Sequence, residues 1–176
     1  YNTYRNPREA LKNVKLVMKK TKCDGVKLEG GKKIIPIVKN LTKNNIPVMG
    51  HVGILPQTDK KFSFKGKKQK EINRILNDTK LLENAGAFSI VLECVETKLS
   101  KQITKNIKIP TIGIGSSLNC DGQVLVIDDL IGMSDSKFKF VKKYVDLSKV
   151  INSAVKKYKN EVKNKQFPKA KHSFAN

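Results

Sequence analysis

Apolar residues recur along the chain with two alternating periods, which predicts helices that alternate with short strands. Helical spacing of the apolar positions predicts helices over residues 7–20, 33–44, 71–85, 97–106, 138–144 and 147–163. Short β-rich apolar runs between them predict strands over residues 25–29, 47–51, 89–92 and 111–114. Residues 121–126 fit either a last short strand or a helical turn, and the strand is the preferred interpretation.

Polar side chains stand at the ends of three predicted strands. Alternation in the first strand sends Lys27 and Glu29 to the same side, the second strand ends in His51, and the third is followed by Glu93. Taken singly, a Glu can be a salt-bridge partner and a His a structural residue. Ligands bind at the carboxyl ends of parallel strands, so three such ends together favour a ligand site.

Three other segments lack a clear period. Residues 58–70 are polar and basic, as expected of either a functional lid or a disordered loop. Residues 115–117 form a turn rich in backbone N–H groups, which fits an anion site and a plain tight turn equally well. The tail over residues 166–176 is predicted to be irregular.

The spacing of the strand ends predicts the class of fold. Successive ends lie about twenty residues apart, or about forty across the long loop, as in repeated βα units with a parallel sheet. A (βα)8 barrel carries catalytic groups at these strand ends, but it typically needs about 250 residues. Either the amino-terminal third of a barrel is absent from the chain, or the fold is a smaller open sheet.

Length and composition restrict the class of protein. The 176 residues suit one domain, contain no apolar run long enough to span a membrane, and begin without the apolar core of a secretory signal. The three cysteines are an odd number at spacings far from a C-x-x-C pattern, which argues against a disulfide framework and a zinc site and favours a reducing cytosol. Cys94 is interpreted as a small buried hydrophobe in preference to a reactive thiol.

The formal net charge of +21 raises nucleic acid as a partner. Lys nevertheless dominates, and the arginines, which provide bidentate phosphate and base contacts, are confined to Arg5, Arg8 and Arg74. The lysines are spread over many segments, with the densest cluster at residues 156–171. The distribution argues against a nucleic-acid-binding module, which is kept as a weaker alternative.

Five motifs resemble, in sequence and in order, those of the ketopantoate hydroxymethyltransferase family. They are residues 26–31 (VKLEGG), 50–57 (GHVGILPQ), 91–95 (VLECV), 112–115 (IGIG) and 120–126 (CDGQVLV). Residues 172–174 (HSF) resemble the tail of the family, so that the resemblance extends over essentially the whole chain.

The resemblance implies a (βα)8 barrel of which residues 1–176 form the carboxyl-terminal two-thirds of one domain. It implies a cytoplasmic homo-oligomer that transfers a hydroxymethyl group from 5,10-methylenetetrahydrofolate to 3-methyl-2-oxobutanoate, giving 2-dehydropantoate for pantothenate synthesis. Glu29 matches the family's Mg2+-binding Glu and Lys27 a substrate-binding Lys. Glu93 matches the general base that removes the proton beside the ketone, and His51 matches a His that lines the substrate pocket.

Departures from the family pattern leave alternatives open. Ser116 and Ser117 stand where the family usually has Ala-Gly, Glu96 where Pro is usual, and Lys139 where Pro-Lys-Phe is expected. The family's other metal-binding Asp residues would precede this sequence. Glu29 alone therefore provides too few ligands to hold magnesium. A non-catalytic remnant or scaffold of the same fold is the main alternative, and a related barrel enzyme acting on another 2-oxo acid is a further one.

Overall fold

The structure is a computed structural model that describes residues 2–59 and 62–174. The chain divides into two compact units, residues 1–124 and residues 125–176. Within the described residues, no helix combines the length and the apolar character needed to cross a lipid bilayer.

The first unit alternates helices with strands. Its helices are α1 (Pro7–Thr21), α2 (Ile35–Lys43, preceded by a 3-10 turn at Lys32–Ile34), α3 (Gln69–Asn84) and α4 (Thr97–Asn106). Its strands are β1 (Val26–Glu29), β2 (Val48–Gly53), β3 (Ser89–Glu93), β4 (Thr111–Ile114) and β5 (Gly122–Gln123). The second unit contains α5 (Ile127–Leu130), α6 (Leu147–Lys163) and a 3-10 turn at Ala170–His172.

The five strands form one sheet in the order β1-β2-β3-β4-β5, and every neighbouring pair is parallel. Doubly wound sheets reverse their strand order at a switch point, whereas consecutive βα units in a barrel wall follow one another in sequence order. The prediction of a parallel α/β fold is confirmed. Five strands among the described residues do not by themselves close a barrel.

The two faces of the sheet differ in character. One face carries apolar side chains that are almost completely buried, among them Leu28, Val48, Ile90 and Leu92, and forms the core together with the helices. Side chains alternate between faces along a strand, so the residues between these ones line the opposite face. That face carries the polar groups of β1, β2 and β3.

Local signals explain the boundaries that the sequence predicts well. Helix α1 begins after Asn6, whose side-chain oxygen accepts a hydrogen bond from the Glu9 N–H at 2.9 Å, and Pro7 occupies its first turn. The prediction for β2 is too short, because the strand continues past His51 to Gly53, where it is paired with the end of β3. His51 therefore lies inside the strand.

One prediction toward the end of the chain fails, and another is confirmed only in part. Residues 138–144 are not helical, and the rings of Phe138 and Phe140 stack with their centroids 5.7 Å apart. Residues two apart do not face each other on a helix, and the lysines among these residues would repel at helical spacing. The predicted strand over residues 121–126 is reduced to the two residues of β5. Residues 166–174 contain only the short 3-10 turn, and residues 175 and 176 lie outside the described residues.

The long loop before α3 is ordered around one backbone contact. Lys65 forms an isolated parallel bridge with Val95, donating its N–H to the Cys94 carbonyl and accepting from the Glu96 N–H, each at 2.8 Å. The prediction of a lid or a disordered loop also covers residues 60 and 61, which lie outside the described residues. The described part of the loop is pinned beside the end of β3.

Among the glycines near the carboxyl ends of the strands, Gly53 is expected to tolerate substitution least. Its φ is +102°, and a Cβ would lie 2.1 Å from the Glu93 carbonyl oxygen. Gly53→Ala should lower the free energy of unfolding by about 3 kcal/mol, because both backbone strain and a backbone clash are introduced. Gly122→Ala is the control, since its Cβ would meet only the tip of the Ile112 side chain. Equal losses for the two variants in urea unfolding would contradict this assignment.

An acidic residue connects the end of α3 to the segment that enters β4. Glu83 accepts hydrogen bonds from Lys80 Nζ and from the Lys108 N–H, each at 2.5 Å. The bond from Lys80 and then the one from Lys108 lower the pKa of the Glu83 carboxyl below its ordinary value near 4.5. A carboxyl with a lowered pKa stabilises the fold above its unfolded pKa, and this contribution is lost as the pH falls through the folded pKa.

Glu83→Gln is therefore expected to lower the free energy of unfolding at pH 7 by about 1 kcal/mol, a value reduced for solvent screening. The difference between wild type and variant should shrink as the pH falls below the ordinary pKa value near 4.5. It should close once the pH is below the lowered pKa of Glu83 in the folded protein, where the wild-type carboxyl is also neutral. Urea unfolding between pH 3 and 7 measures both quantities. A difference that stays constant over this range would show that the charge of Glu83 is not involved.

Candidate active site

The register of the sheet brings the predicted site residues to one place. Glu29 of β1 is paired with His51 of β2, and Lys27, two residues before Glu29, lies on the same face. His51 is paired with Val91 of β3, so that Glu93, two residues after Val91, lies on the same face as His51. The prediction that the Lys27 and Glu29 side chains lie on the same side of β1 is confirmed.

Four side chains form a connected cluster, called the Lys27 cluster below: Lys27, Glu29, His51 and Glu93. Lys27 Nζ lies 3.9 Å from Glu29 Oε1 and 3.4 Å from His51 Nδ1. His51 Nε2 lies 3.2 Å from Glu93 Oε2. The His51 side chain is 0% exposed, those of Glu29 and Glu93 are 7% and 17% exposed, and that of Lys27 is 46% exposed. The cluster thus opens to solvent at Lys27.

The contacts of His51 fix the position of its proton. A lysine ammonium only donates hydrogen bonds, so Nδ1 of His51 accepts from Lys27 and the ring N–H lies on Nε2. Nε2 lies within ion-pair distance of Glu93 Oε2, yet it has no hydrogen-bond partner among the described residues. A buried donor without a partner is costly unless a ligand accepts from it. The site therefore presents a free N–H beside a carboxylate.

The second oxygen of Glu29 is held by the loop after β2. The Gln57 N–H donates to Glu29 Oε2 at 3.1 Å. The Tyr4 hydroxyl contacts the Gln57 side-chain oxygen at 3.2 Å and the Glu29 carbonyl at 3.4 Å, and burial raises the pKa of Tyr4. Gln57 lies at the end of the motif over residues 50–57, whereas Tyr4 is distant from every motif and has no signal in the sequence.

Cys94 follows Glu93 in a left-handed backbone conformation, with φ of 50°. Burial, and then the neighbouring Glu93 charge, raises the pKa of the Cys94 thiol to about 11. Thiolates are the reactive form of cysteine. The interpretation of Cys94 as a small buried residue is confirmed.

A cavity of about 990 Å³ adjoins the cluster at Glu29. Its wall includes Gly31, Lys33, Arg74 and Asp78, whereas the other three members of the Lys27 cluster do not line it. The cavity is thus a neighbouring space that meets the cluster at Glu29. Its volume is at the upper end of the range for sites that enclose a drug-sized ligand.

The described residues do not make a complete magnesium site. Among residues 2–59 and 62–174, no three His, Cys, Asp or Glu side chains are placed to hold a metal ion. Magnesium requires octahedral oxygen ligands, whereas His51 presents nitrogen atoms and Glu29 lies against the Lys27 ammonium. The role of Glu29 as a metal ligand stays a prediction.

The whole first unit and most of the second match one family. Residues 1–170 match the family model described as ketopantoate hydroxymethyltransferase. The chain belongs to this family. The resemblance found in the five motifs is confirmed.

Relatives that share one name match this chain over nearly its whole length. Proteins named 3-methyl-2-oxobutanoate hydroxymethyltransferase are 60% identical in Pelagibacter ubique, 45% in Chlorobaculum tepidum and 49% in Carboxydothermus hydrogenoformans. The matches cover 99%, 96% and 94% of this chain, but 68%, 62% and 62% of those proteins. The chain thus spans roughly two thirds of the length of these hydroxymethyltransferases.

Proposed function

We propose that the protein transfers a hydroxymethyl group from 5,10-methylenetetrahydrofolate to 3-methyl-2-oxobutanoate, giving 2-dehydropantoate. The observation that carries this proposal is the convergence of Lys27, Glu29, His51 and Glu93 at one edge of the sheet, in a chain of the ketopantoate hydroxymethyltransferase family. Formation of a carbon–carbon bond beside a ketone requires loss of a proton from C3, and the cluster contains the groups for that step.

Each member of the cluster is assigned a role from its chemistry. The Glu93 carboxylate takes the C3 proton, and the electron pair of the C–H bond moves into the enolate. The exposed Lys27 ammonium binds the substrate carboxylate, and the unpartnered Nε2–H of His51 donates to a substrate oxygen. Glu29 orients Lys27 from 3.9 Å. The predicted magnesium ion would need ligands from outside the described residues, and the proton transfer is assigned to this chain's residues alone.

The cavity beside Glu29 is proposed to take the larger one-carbon carrier. Its size exceeds the needs of a five-carbon acid, and basic side chains such as Lys33 and Arg74 in its wall suit a carrier that bears carboxylates.

The sheet is proposed to be part of a (βα)8 barrel, with residues 1–176 as its carboxyl-terminal two-thirds. The sequential parallel order supports this arrangement. So does the face that carries the cluster, because its apolar residues Met49, Ile112 and Ile114 are only partly buried, as expected if further strands cover them. The homo-oligomer and the cytoplasmic location stay predictions.

Loss of deuterium from C3 of labelled 3-methyl-2-oxobutanoate tests the proposal without the carrier. The chain, together with any segment encoded upstream of it, is expected to exchange the deuteron and, after addition of 5,10-methylenetetrahydrofolate, to form 2-dehydropantoate. An intact protein that binds the acid without exchanging C3 would favour the non-catalytic scaffold. Exchange of the corresponding deuteron of another 2-oxo acid, but not of 3-methyl-2-oxobutanoate, would favour the related barrel enzyme.

A further inference from the structure

We propose that Ser116 is a positioning residue for Glu93, because its hydroxyl holds the turn that aims the Glu93 carboxylate at the Lys27 cluster. The inference rests on the base role proposed for Glu93. The Ser116 side chain is not a member of the Lys27 cluster. The family usually has Ala in place of Ser116.

The turn after β3 needs an external support. Cys94, directly after Glu93, has φ of 50°, a conformation that residues with a Cβ adopt at a cost. A strained residue persists only when its surroundings determine its conformation. If the turn relaxed, the Glu93 carboxylate would shift relative to His51 Nε2, which lies 3.2 Å away.

The Ser116 hydroxyl joins the two ends of this turn. It donates to the Leu92 carbonyl at 2.7 Å and accepts from the Val95 N–H at 3.1 Å. Leu92 precedes Glu93 and Val95 follows Cys94, so one oxygen atom connects the backbone on both sides of the two residues. Leu92 and Val95 are 0% and 2% exposed, so water cannot readily replace the hydroxyl.

Three backbone hydrogen bonds hold the Glu93 carbonyl and both peptide groups of Cys94 within the turn. The Glu93 carbonyl accepts from the Ile54 N–H at 2.9 Å, the Cys94 N–H donates to the Ile114 carbonyl at 2.8 Å, and the Cys94 carbonyl accepts from the Lys65 N–H at 2.8 Å. The Ser116 hydroxyl adds a side-chain contact that reaches the backbone on both sides of Glu93 and Cys94. It is therefore the point at which a substitution can release the turn without disturbing the sheet.

Ser116→Ala is expected to lower the turnover of C3 exchange about 10- to 100-fold, with the KM for the keto acid within about twofold of wild type. Displacement of the base affects proton transfer, whereas Lys27 and His51 still bind the acid. Ser116→Thr keeps the hydroxyl and should restore turnover. Cys94→Gly in the Ser116→Ala background should recover part of it, because glycine adopts the left-handed conformation without strain.

Ser100→Ala is the matched control for a purely structural effect. Ser100 is fully buried, and its hydroxyl donates to the Val95 carbonyl at 3.1 Å and to the Glu96 carbonyl at 3.0 Å, on the far side of the turn from Glu93. This variant should lower the thermal unfolding midpoint and leave turnover unchanged. Turnover in Ser116→Ala that equals wild type, or that falls no further than in Ser100→Ala, would overturn the proposal.

Hydrogen exchange of the Val95 amide separates this inference from the proposed function. The amide should be protected in wild type and in Ser116→Thr, and should exchange at least about 10-fold faster in Ser116→Ala. A wild-type protein without C3 exchange would refute the base role of Glu93, and the inference with it, even if the amide behaves as expected. An active wild type whose Val95 amide is unaffected by Ser116→Ala would refute the inference alone.

Discussion

Replacement of Glu93 by Gln is expected to reduce C3 exchange of 3-methyl-2-oxobutanoate by about 100- to 10,000-fold, the usual contribution of a positioned general base. Gln keeps the size of the side chain but cannot accept the proton as a carboxylate does. Binding of the acid should change little, because Lys27 and His51 remain in place. Exchange followed by NMR, together with a binding titration of the same variant, separates the two effects.

Glu96→Gln is the matched control for this substitution. Glu96 lies three residues from Glu93, but its carboxylate caps α4 by accepting from the Leu99 N–H at 2.9 Å and takes no part in the Lys27 cluster. Its loss should lower stability and leave exchange intact. Unchanged exchange in Glu93→Gln, or an equal loss in both variants, would remove Glu93 from the base role.

The second large effect is expected at Lys27. Lys27→Met removes the exposed cation of the cluster and the donor to His51 Nδ1, which is 3.4 Å away. The dissociation constant of the keto acid should rise about 10- to 100-fold, as expected for loss of a charge-assisted hydrogen bond worth about 1.5–3 kcal/mol. His51 would also lose the contact that places its proton on Nε2, so turnover should fall as well.

Isothermal titration of the acid at two ionic strengths measures the role of Lys27. Lys39→Met, on the exposed side of α2, removes the same charge from another part of the first unit. It should leave the dissociation constant within about twofold of wild type, since an exposed charge outside the cluster is screened by salt. Equal weakening in both variants would show that overall charge, not Lys27, governs binding.

The parts of the fold that follow from local rules could be predicted from the sequence. Helix α4 and helix α6 begin and end where apolar spacing predicts them. Alternation along β1 correctly placed Lys27 and Glu29 on one side. The meeting of these residues with His51 and Glu93 also follows, because parallel strands in sequence order bring their carboxyl ends to one edge.

The remaining features depend on tertiary register and could not be predicted in this way. The extension of β2 beyond His51 results from pairing with β3, which no local pattern encodes. The same holds for the hydroxyl of Tyr4 beside Glu29 and for Ser116 across the turn after Glu93, since both contacts join residues more than twenty positions apart. For residues 138–144 the apolar spacing alone was misleading, because it took no account of repulsion among the lysines.

The most direct test of the shared site is a crystal structure of the protein with 3-methyl-2-oxobutanoate bound. We expect the carboxylate of the acid within hydrogen-bond distance of Lys27 Nζ, one of its oxygens facing His51 Nε2, and C3 in contact with the Glu93 carboxylate. An acid bound at any other place, with these three side chains free of it, would contradict the account.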